Sequence, residues 1–560
     1  MKFSDLIIRY LIEEDVDTIF TLMAEDVMGI TATLKTDWSD DIRVVDARHE
    51  QLAMSMADGY ARSGSDIGVC VVGRGPAIAQ TGTALGTAMV NGSKLLVITG
   101  ETPTTTLGGL KYFEQETFLS TLTEDAVSIR SEEAFLPTMR DVFRRLRRNK
   151  GPIVVQVPWN LMDAEADLSI DWEHERFGTD AVAPNAARAE PLAKQIDAAI
   201  ERYLDSDATL PPLILAGEGA VQSDAIAAIE AFASRTGALL ATTLQARGYF
   251  GDHPYAVGFP GTFGSPLANE VIGQSDFILA LGCSLNNHTT DVGRLVDEAT
   301  IVHVNDDPAH LERYTPVSLA IVGDVRTTVE RLTAELETLD IDFSEKFWTE
   351  STKRRIATAT PWGDVTYADT SGRMDPRELI TELDGRLPED RLVVTDAGHF
   401  MNWVIDGITI RHPDDYMWTL DFGAIGVGFP MGIGAAWRVD DRTTVTFVGD
   451  AGFMMSLQAL DTAVQQDIST IIVIMNDDAL GSEYQQLKNR GLSPESAVAK
   501  TPDLAALARD FGADAYSVSS VGDLDAIGDI ITDRPSGPVV LDCKIDRDVK
   551  HPFYDSDHMN

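Results

Sequence analysis

The stretch from Thr444 to Ser482, T-V-T-F-V-G-D-A-G-F-M-M-S-L-Q-A-L-D-T-A-V-Q-Q-D-I-S-T-I-I-V-I-M-N-D-D-A-L-G-S, leaves the chain few choices. Val445 to Val448 is a short β-branched and aromatic run closed by Gly449-Asp450. Met455 to Gln466 has helical spacing, and Thr470 to Met475 is a second apolar run closed by Asn476-Asp477-Asp478. The pattern predicts one βαβ unit with parallel, adjacent strands, so Asp450 and Asp477 both emerge at carboxyl ends, where open α/β sheets take ligands. Gly449, Ala451 and Gly452 allow close backbone approach at the start of the following helix, whose free N–H groups and positive dipole end favour an anion. An anion and two carboxylates share one crevice only through a cation. Mg²⁺ suits, because it takes hard oxygen ligands from one or two carboxylates and from a phosphorylated ligand. Taken singly, each aspartate reads as an ordinary turn residue at a strand end; it is the two together, joined by a continuous βαβ unit, that point to a diphosphate and metal. No G-x-x-x-x-G-K-[ST] is present, so a nucleoside triphosphatase loop is excluded.

The same grammar recurs along the chain. Thr18 to Thr21, Ile42 to Val45, Ile67 to Gly73, Leu95 to Thr99 and Ile153 to Val157 read as strands with helical patterns between them. A stretch rich in acid, alanine and proline, Asp163 to about Glu190, reads as a linker. A second α/β block opens at P-P-L-I-L-A-G-E-G-A, Pro211 to Ala220, and continues to about Leu339. Its Gly217-x-Gly219 fits either a dinucleotide-type loop or a tight turn into a helix. After a polar stretch, Ser344 to Met374, a third block holds R-L-V-V-T-D-A-G-H-F, G-A-I-G-V-G-F-P-M-G-I-G-A-A and the βαβ unit. A chain of 560 residues is too long for one core. The expected fold is α/β, with three doubly wound parallel-sheet domains over residues 1–165, 190–340 and 370–560.

Asp and Glu number 88 against 45 Lys and Arg, only 12 of them Lys, for a formal net charge of -43. The acid is spread along the chain, which predicts a wholly acidic surface that self-repels at low ionic strength and points to a salt-loving source. Nucleic acid and anionic membrane, which both need basic patches, are excluded as partners. The N-terminus, M-K-F-S-D-L-I-I-R-Y-L-I-E-E-D, has no uninterrupted apolar region, and no run approaches bilayer length. A soluble, cytoplasmic protein is expected. Cys70, Cys283 and Cys543, far apart and on or beside apolar runs, fit reduced buried thiols rather than a disulfide framework or a Cys-rich metal site.

G-D-A-G at Gly449 to Gly452 followed by N-D-D resembles the G-D-G…N-N motif of thiamine diphosphate (ThDP) enzymes, and nearly the whole chain resembles the acetolactate synthase-like, large-subunit branch of that family. The resemblance implies a pyrimidine-binding first domain, a central domain and a diphosphate-binding third domain. It implies Mg²⁺ held by Asp450, Asp477 and the backbone carbonyl of Ala479, with Asp477 in place of the commoner asparagine. D-A-R-H-E-Q-L-A-M-S-M-A-D-G-Y-A-R, Asp46 to Arg62, predicts a helix capped by Asp46 with Glu50 in its first turn. By residue type alone Glu50 is either a carboxylate favoured by the helix dipole or a functional one. Similarity to the family's H-E-x-x-A-x-x-M-A-x-G-Y-A-R implies that Glu50 contacts N1′ of the aminopyrimidine, favouring the tautomer whose N4′ takes the thiazolium C2 proton. G-A-I-G-V-G-F-P, Gly423 to Pro430, is similar to G-T-M-G-x-G-x-P, implying that the Gly423 carbonyl meets N4′ and Ile425 wedges the two rings into a V. Otherwise the same stretch is a glycine-rich helix entry that packs closely. Asp396, Gly398, His399 and Phe400 match a stretch bordering the diphosphate, and Gly449, Ala451, Gly452, Thr81 and Gly481 are further implied cofactor neighbours.

The departures gather on the substrate side. V-G-R-G-P-A-I-A-Q-T-G, Val72 to Gly82, stands where relatives have S-G-P-G-A-x-N-x-x-T-G, with Arg74 replacing proline. L-K-Y-F-E-Q-E, Leu110 to Glu116, resembles an F-Q-E region, with either Glu114 or Gln115 in the glutamine's role. The central domain carries FAD in some members, but the family's G-A-R-F-D-D-R is here G-C-S-L-N-N-H, Gly282 to His288, and FAD is not expected; His288 is placed on the substrate side. The resemblance implies a ThDP- and Mg²⁺-dependent enzyme that acts on small 2-oxo acids by decarboxylation with carboligation. It further implies a homodimer or dimer of dimers with sites at the subunit interface. The alternatives are a simple 2-oxo acid decarboxylase or C–C lyase and, in another class, a non-catalytic cofactor-binding or regulatory subunit. Pyruvate decarboxylase-type relatives carry an H-H pair in the Leu107 to Tyr112 region, where this chain has no histidine, and intact Glu50, Asp450 and Asp477 argue against the non-catalytic reading.

Overall fold

The apolar runs become strands of three six-stranded sheets, most of them buried on both faces as parallel strands covered by helices must be. The computed structural model describes residues 1–64, 66–106, 108–148, 151–166, 193–206, 210–362, 365–368 and 372–555. Most of the expected linker from Asp163 to Glu190 lies outside them. The first sheet contains β1 (Thr18–Thr21), β2 (Arg43–Asp46), β3 (Gly68–Val72), β4 (Leu95–Glu101), β5 (Asp125–Ser128) and β6 (Ile153–Pro158). Its strands run parallel in the order β2-β1-β3-β4-β6-β5. The second contains β7 (Leu213–Ala216), β8 (Leu239–Thr242), β9 (Ala256–Gly258), β10 (Phe277–Leu281), β11 (Thr300–Asn305) and β12 (Leu319–Val322), parallel in the order β12-β11-β10-β7-β8-β9. The third contains β13 (Arg391–Thr395), β14 (Tyr416–Trp418), β15 (Thr443–Gly449), β16 (Thr470–Asn476), β17 (Asp514–Val518) and β18 (Pro538–Lys544), in the order β14-β13-β15-β16-β18-β17. The fold is α/β with three doubly wound sheets.

In each sheet the strand order reverses beside the first strand: between β1 and β3, between β7 and β10, and between β13 and β15. Such switch points open a crevice at the carboxyl ends. The chain forms two compact units. One comprises Met1–Asp180, Ala368–Met401 and Met417–Lys550, with the first and third sheets; the other comprises Ala181–Tyr367, Asn402–Tyr416 and His551–Asn560, with the second.

Three local readings are corrected. The helix Glu50–Arg62 is capped by His49, whose Nδ1 accepts the Gln51 N–H at 3.1 Å, and not by Asp46, which ends β2 and takes Lys35 instead. The helical run read as Met455 to Gln466 is two helices, Asp450–Met455 and Gln458–Gln465. They separate at Ser456, whose hydroxyl donates back to the Gly452 carbonyl at 2.8 Å. β5 went unread because D-A-V-S offers only two apolar residues; it is a half-buried edge strand. Cys70, Cys283 and Cys543 are free and buried. No helix among the described residues is long and apolar enough to cross a membrane.

Candidate functional site

β15 and β16 pair with Gly449 opposite Met475, so Asp450 and Asp477 leave neighbouring strands at their carboxyl ends. They are 2% and 5% exposed. Burial pushes the Asp450 carboxyl up to about 8, and repulsion from Asp477 and Asp478 adds to it against the Ala451 N–H. Burial likewise pushes Asp477 up to about 7, opposed by the Ala479 N–H, which donates to its Oδ1 at 3.0 Å, and by Arg547 and Arg373 at longer range. Asp478 is turned aside by a left-handed backbone, φ 53°, and is held by Arg373 and by the N–H and hydroxyl of Thr501. Asn476 donates to Asp542 at 2.8 Å. Among the described residues neither Asp450 nor Asp477 has an ion-pair partner, and no group of three or more His, Cys, Asp or Glu is poised to hold a metal alone. Two buried, mutually repelling carboxylates of this kind fit a hard cation that draws its remaining oxygens from a phosphorylated ligand.

The space beside the pair depends on glycine. A Cβ at Gly481, the first residue of the helix Gly481–Asn489, would lie 2.4 Å from Asp477 Oδ2 and 3.1 Å from the His399 Cβ. One at Gly449 would lie 3.1 Å from the Phe400 ring. His399 and Phe400 therefore wall the start of both loops. Asp396, at the end of β13 and across the third switch point from Asp450, is fully buried and accepts the Gly426 N–H at 2.8 Å and the Gly428 N–H at 3.1 Å. Burial raises it to about 6 against those donors. Its work is to clamp the loop that carries Gly423 and Ile425 into the helix Gly428–Arg438, a role that the bare D-x-G spacing does not reveal. The glycines of that stretch divide. Gly428 and Gly434 are small because Asp396 and the Met56 carbonyl crowd them, whereas Gly423 has open space and a φ of 73°.

Glu50 is half-buried at the first position of its helix, beyond the carboxyl end of β2. That helix crosses Gly428–Arg438 at backbone contact: a Cβ at Gly59 would lie 2.0 Å from the Met431 carbonyl oxygen, and one at Gly434 1.9 Å from that of Met56. At the far end Arg62 Nη1 lies 2.9 Å from Asp421 and 3.9 Å from buried Asp58, while its Nη2 donates to the Trp418 carbonyl. The helix that begins with Glu50 is thus tied to the segment entering the Gly423 loop. Sequence reading gave Arg62 only as the last residue of the matched helix motif and assigned no role to Asp58 or Asp421. No hydrogen bond or ion pair among the described residues joins Glu50 to Asp450 or Asp477.

The remaining sequence candidates scatter. Thr81 is buried and spends its hydroxyl on the Ile78 carbonyl at 2.7 Å. Gln115 is locked inward, accepting the Gly75 N–H at 3.0 Å and donating to Gly100 and Gln156, whereas Glu114 is exposed and accepts from the Tyr112 hydroxyl. Arg74 lies beside Gly75 in the loop after β3. His288 is exposed in the second unit. There Gly217 and Gly219 pack against Gly282 and Cys283 across the switch point of the second sheet, with the Gly219 N–H on the Gly282 carbonyl at 2.9 Å. That contact accounts for both glycines without a phosphate.

Residues 1–125 match the N-terminal thiamine pyrophosphate (TPP) binding domain of thiamine pyrophosphate enzymes, residues 206–332 their central domain and residues 396–543 their C-terminal TPP binding domain. The chain is 28% identical over 557 residues to a probable acetolactate synthase large subunit of Methanocaldococcus jannaschii, covering 98% of this chain and 92% of that one. It is 25% identical to the acetolactate synthase isozyme 2 large subunit of Escherichia coli K12, covering 98% and 96%. Among solved structures, the thiamine diphosphate-dependent 4-hydroxybenzoylformate decarboxylase of Rhodococcus jostii superposes with a TM-score of 0.76 at 22% identity, over 98% of this chain and 99% of the other. With the three domain matches together spanning well over half its length, the chain belongs to the thiamine pyrophosphate enzyme family.

Proposed function

We propose that the enzyme is ThDP- and Mg²⁺-dependent and acts on 2-oxo acids, decarboxylating one and joining the remainder to a second carbonyl compound. The observation that carries this reading is the buried Asp450–Asp477 pair, both carboxyls raised by burial, with no ion-pair partner among the described residues. The similarity to acetolactate synthase large subunits supports the carboligating outcome. Asp450, Asp477 and the Ala479 carbonyl would hold Mg²⁺, and Gly449, Ala451, Gly452 and Gly481 would leave room for the diphosphate beside His399 and Phe400. When bound, ThDP supplies an electron sink for the pair left behind as CO₂ departs. Glu50 would share a proton with N1′ of the aminopyrimidine, the Gly423 carbonyl would accept a hydrogen bond from its amino group, and Ile425 would pack against the rings. Asp396 keeps that loop in register by holding the Gly426 and Gly428 N–H groups. Pairs of chains complete the sites, as a homodimer or dimer of dimers, in the cytoplasm of a salt-loving organism, and FAD has no part.

The test is mass spectrometry of the products formed from a panel of 2-oxo acids with ThDP and Mg²⁺. A 2-hydroxy-3-oxo acid is expected. An aldehyde alone marks a simple decarboxylase, and tight cofactor binding with no turnover on any member contradicts the catalytic reading.

A further inference from the structure

We propose that Arg74 is the receptor for a carboxylate that the reaction leaves intact, either a second acidic group on the donor 2-oxo acid or the carboxylate of an acceptor 2-oxo acid. This rests on the function proposed above. Arg74 follows β3, and β1 and β3 flank the switch point of the first sheet, so it lies where a ligand is expected. Its backbone is pinned from both sides. The Arg74 N–H donates to Asp26 Oδ2 at 2.8 Å, and the next N–H, of Gly75, donates to Gln115. A Cβ at Gly73 would lie 2.5 Å from that of Ala24, and one at Gly75 would lie 2.4 Å from the Lys111 carbonyl oxygen. The Arg74 side chain is the one that leaves this clamp, and its guanidinium lies 5.7 Å from the Trp159 ring centroid, beyond the end of β6. The Nε is buried and has no hydrogen-bond partner. Asp26, the carboxylate that reaches this loop, is engaged by the Arg74 N–H and lies 3.7 Å from Lys111, which also pairs with Glu25 at 3.2 Å. A guanidinium held against an aromatic face with a buried donor unmet is built for a planar anion.

The chemistry decides which carboxylate. Charge moves away from the carboxylate that departs as CO₂, so an ion pair to it would favour the bound substrate over the transition state and slow the step. A carboxylate that stays can be gripped throughout.

The test uses protein loaded with ThDP and Mg²⁺. For the donor source, calorimetry compares 2-hydroxyglutarate with 2-hydroxypentanoate, which share a chain length but differ in the terminal carboxylate and lack the reactive carbonyl. For the acceptor source, ligation onto 2-oxobutanoate is compared with ligation onto propanal. Arg74→Gln should weaken the member of one pair that carries the additional carboxylate by roughly ten- to hundredfold and the member without it by less than about twofold. Arg74→Lys, which keeps the charge without the fork, should fall between and serves if Arg74→Gln fails to fold. Separation in the first pair assigns the donor, in the second the acceptor. If neither pair separates, water serves the Arg74 Nε and the proposal is overturned. The donor arm needs no turnover, so it stands apart from the catalytic reading.

Discussion

Replacing Asp477 by asparagine removes one of two buried carboxylates while keeping an oxygen at the same place. In the cofactor-free protein both groups are displaced upward from 3.8, to about 8 for Asp450 and about 7 for Asp477. The folded chain therefore binds more protons than the unfolded chain between about pH 4 and 8, and ionising the pair costs stability as pH rises through that window, with no cost below it. A divalent cation reverses the balance by favouring both ionised forms, so Mg²⁺ affinity should climb with pH and level off above about 8. Loading the site at pH 7 should therefore expel protons, and markedly fewer at pH 9, where both groups are already ionised. Asp477→Asn deletes one of the two titrating carboxyls and weakens the second-largest cause of the Asp450 shift, so it should release fewer protons at pH 7. Calorimetry of Mg²⁺–ThDP binding in buffers of different ionisation enthalpy reads this number, and comparing variant with wild type cancels the ligand's own proton. Equal release by the two proteins at pH 7 would refute the placement of Asp477 at the cation.

Glu50→Gln should bind ThDP yet lose proton transfer, and Asp450→Ala should fail to hold it. If the sites lie between chains, mixed dimers of these two inactive variants should regain about half the wild-type rate, and demonstrable mixed dimers that stay dead would contradict shared sites. With a formal charge of -43, the melting temperature should fall as salt is lowered from molar to millimolar; a flat or rising trend on desalting would contradict an acidic surface that needs screening. Gly59→Ala drives a Cβ to 2.0 Å from the Met431 carbonyl oxygen and should cost ~1–3 kcal/mol in denaturant titration. Gly528→Ala, in open space, should be near neutral, and equal effects would show that the helix crossing is not tight.

Much of the fold was legible because parallel strands buried on both faces must be apolar throughout. Val445 to Val448 and Thr470 to Met475 announced β15 and β16 almost to their ends. β5 escaped because an edge strand needs little apolar surface. The Asp450–Asp477 pairing was legible because a continuous βαβ unit fixes where both strands end. That Asp478 turns aside was not, since it depends on Arg373 and Thr501, far off in sequence. A long-range partner also explains why Asp396 showed only as part of a border motif, whereas His49 caps the helix of Glu50 by a local bond to the Gln51 N–H because Asp46 ends β2 and takes Lys35. That the Arg74 Nε is unmet while Asp26 takes the Arg74 N–H and lies 3.7 Å from Lys111 depends on long-range placement that no spacing records.

The most direct measurement is the melting temperature with and without ThDP, in Mg²⁺ and in chelator. A ligand at about 100 times its Kd stabilises by ~2.7 kcal/mol. ThDP should raise the melting temperature of the wild type only with Mg²⁺ present, and Asp450→Ala should abolish the rise. An equal rise in chelator, or an undiminished one in Asp450→Ala, would contradict a diphosphate held through a cation on Asp450 and Asp477.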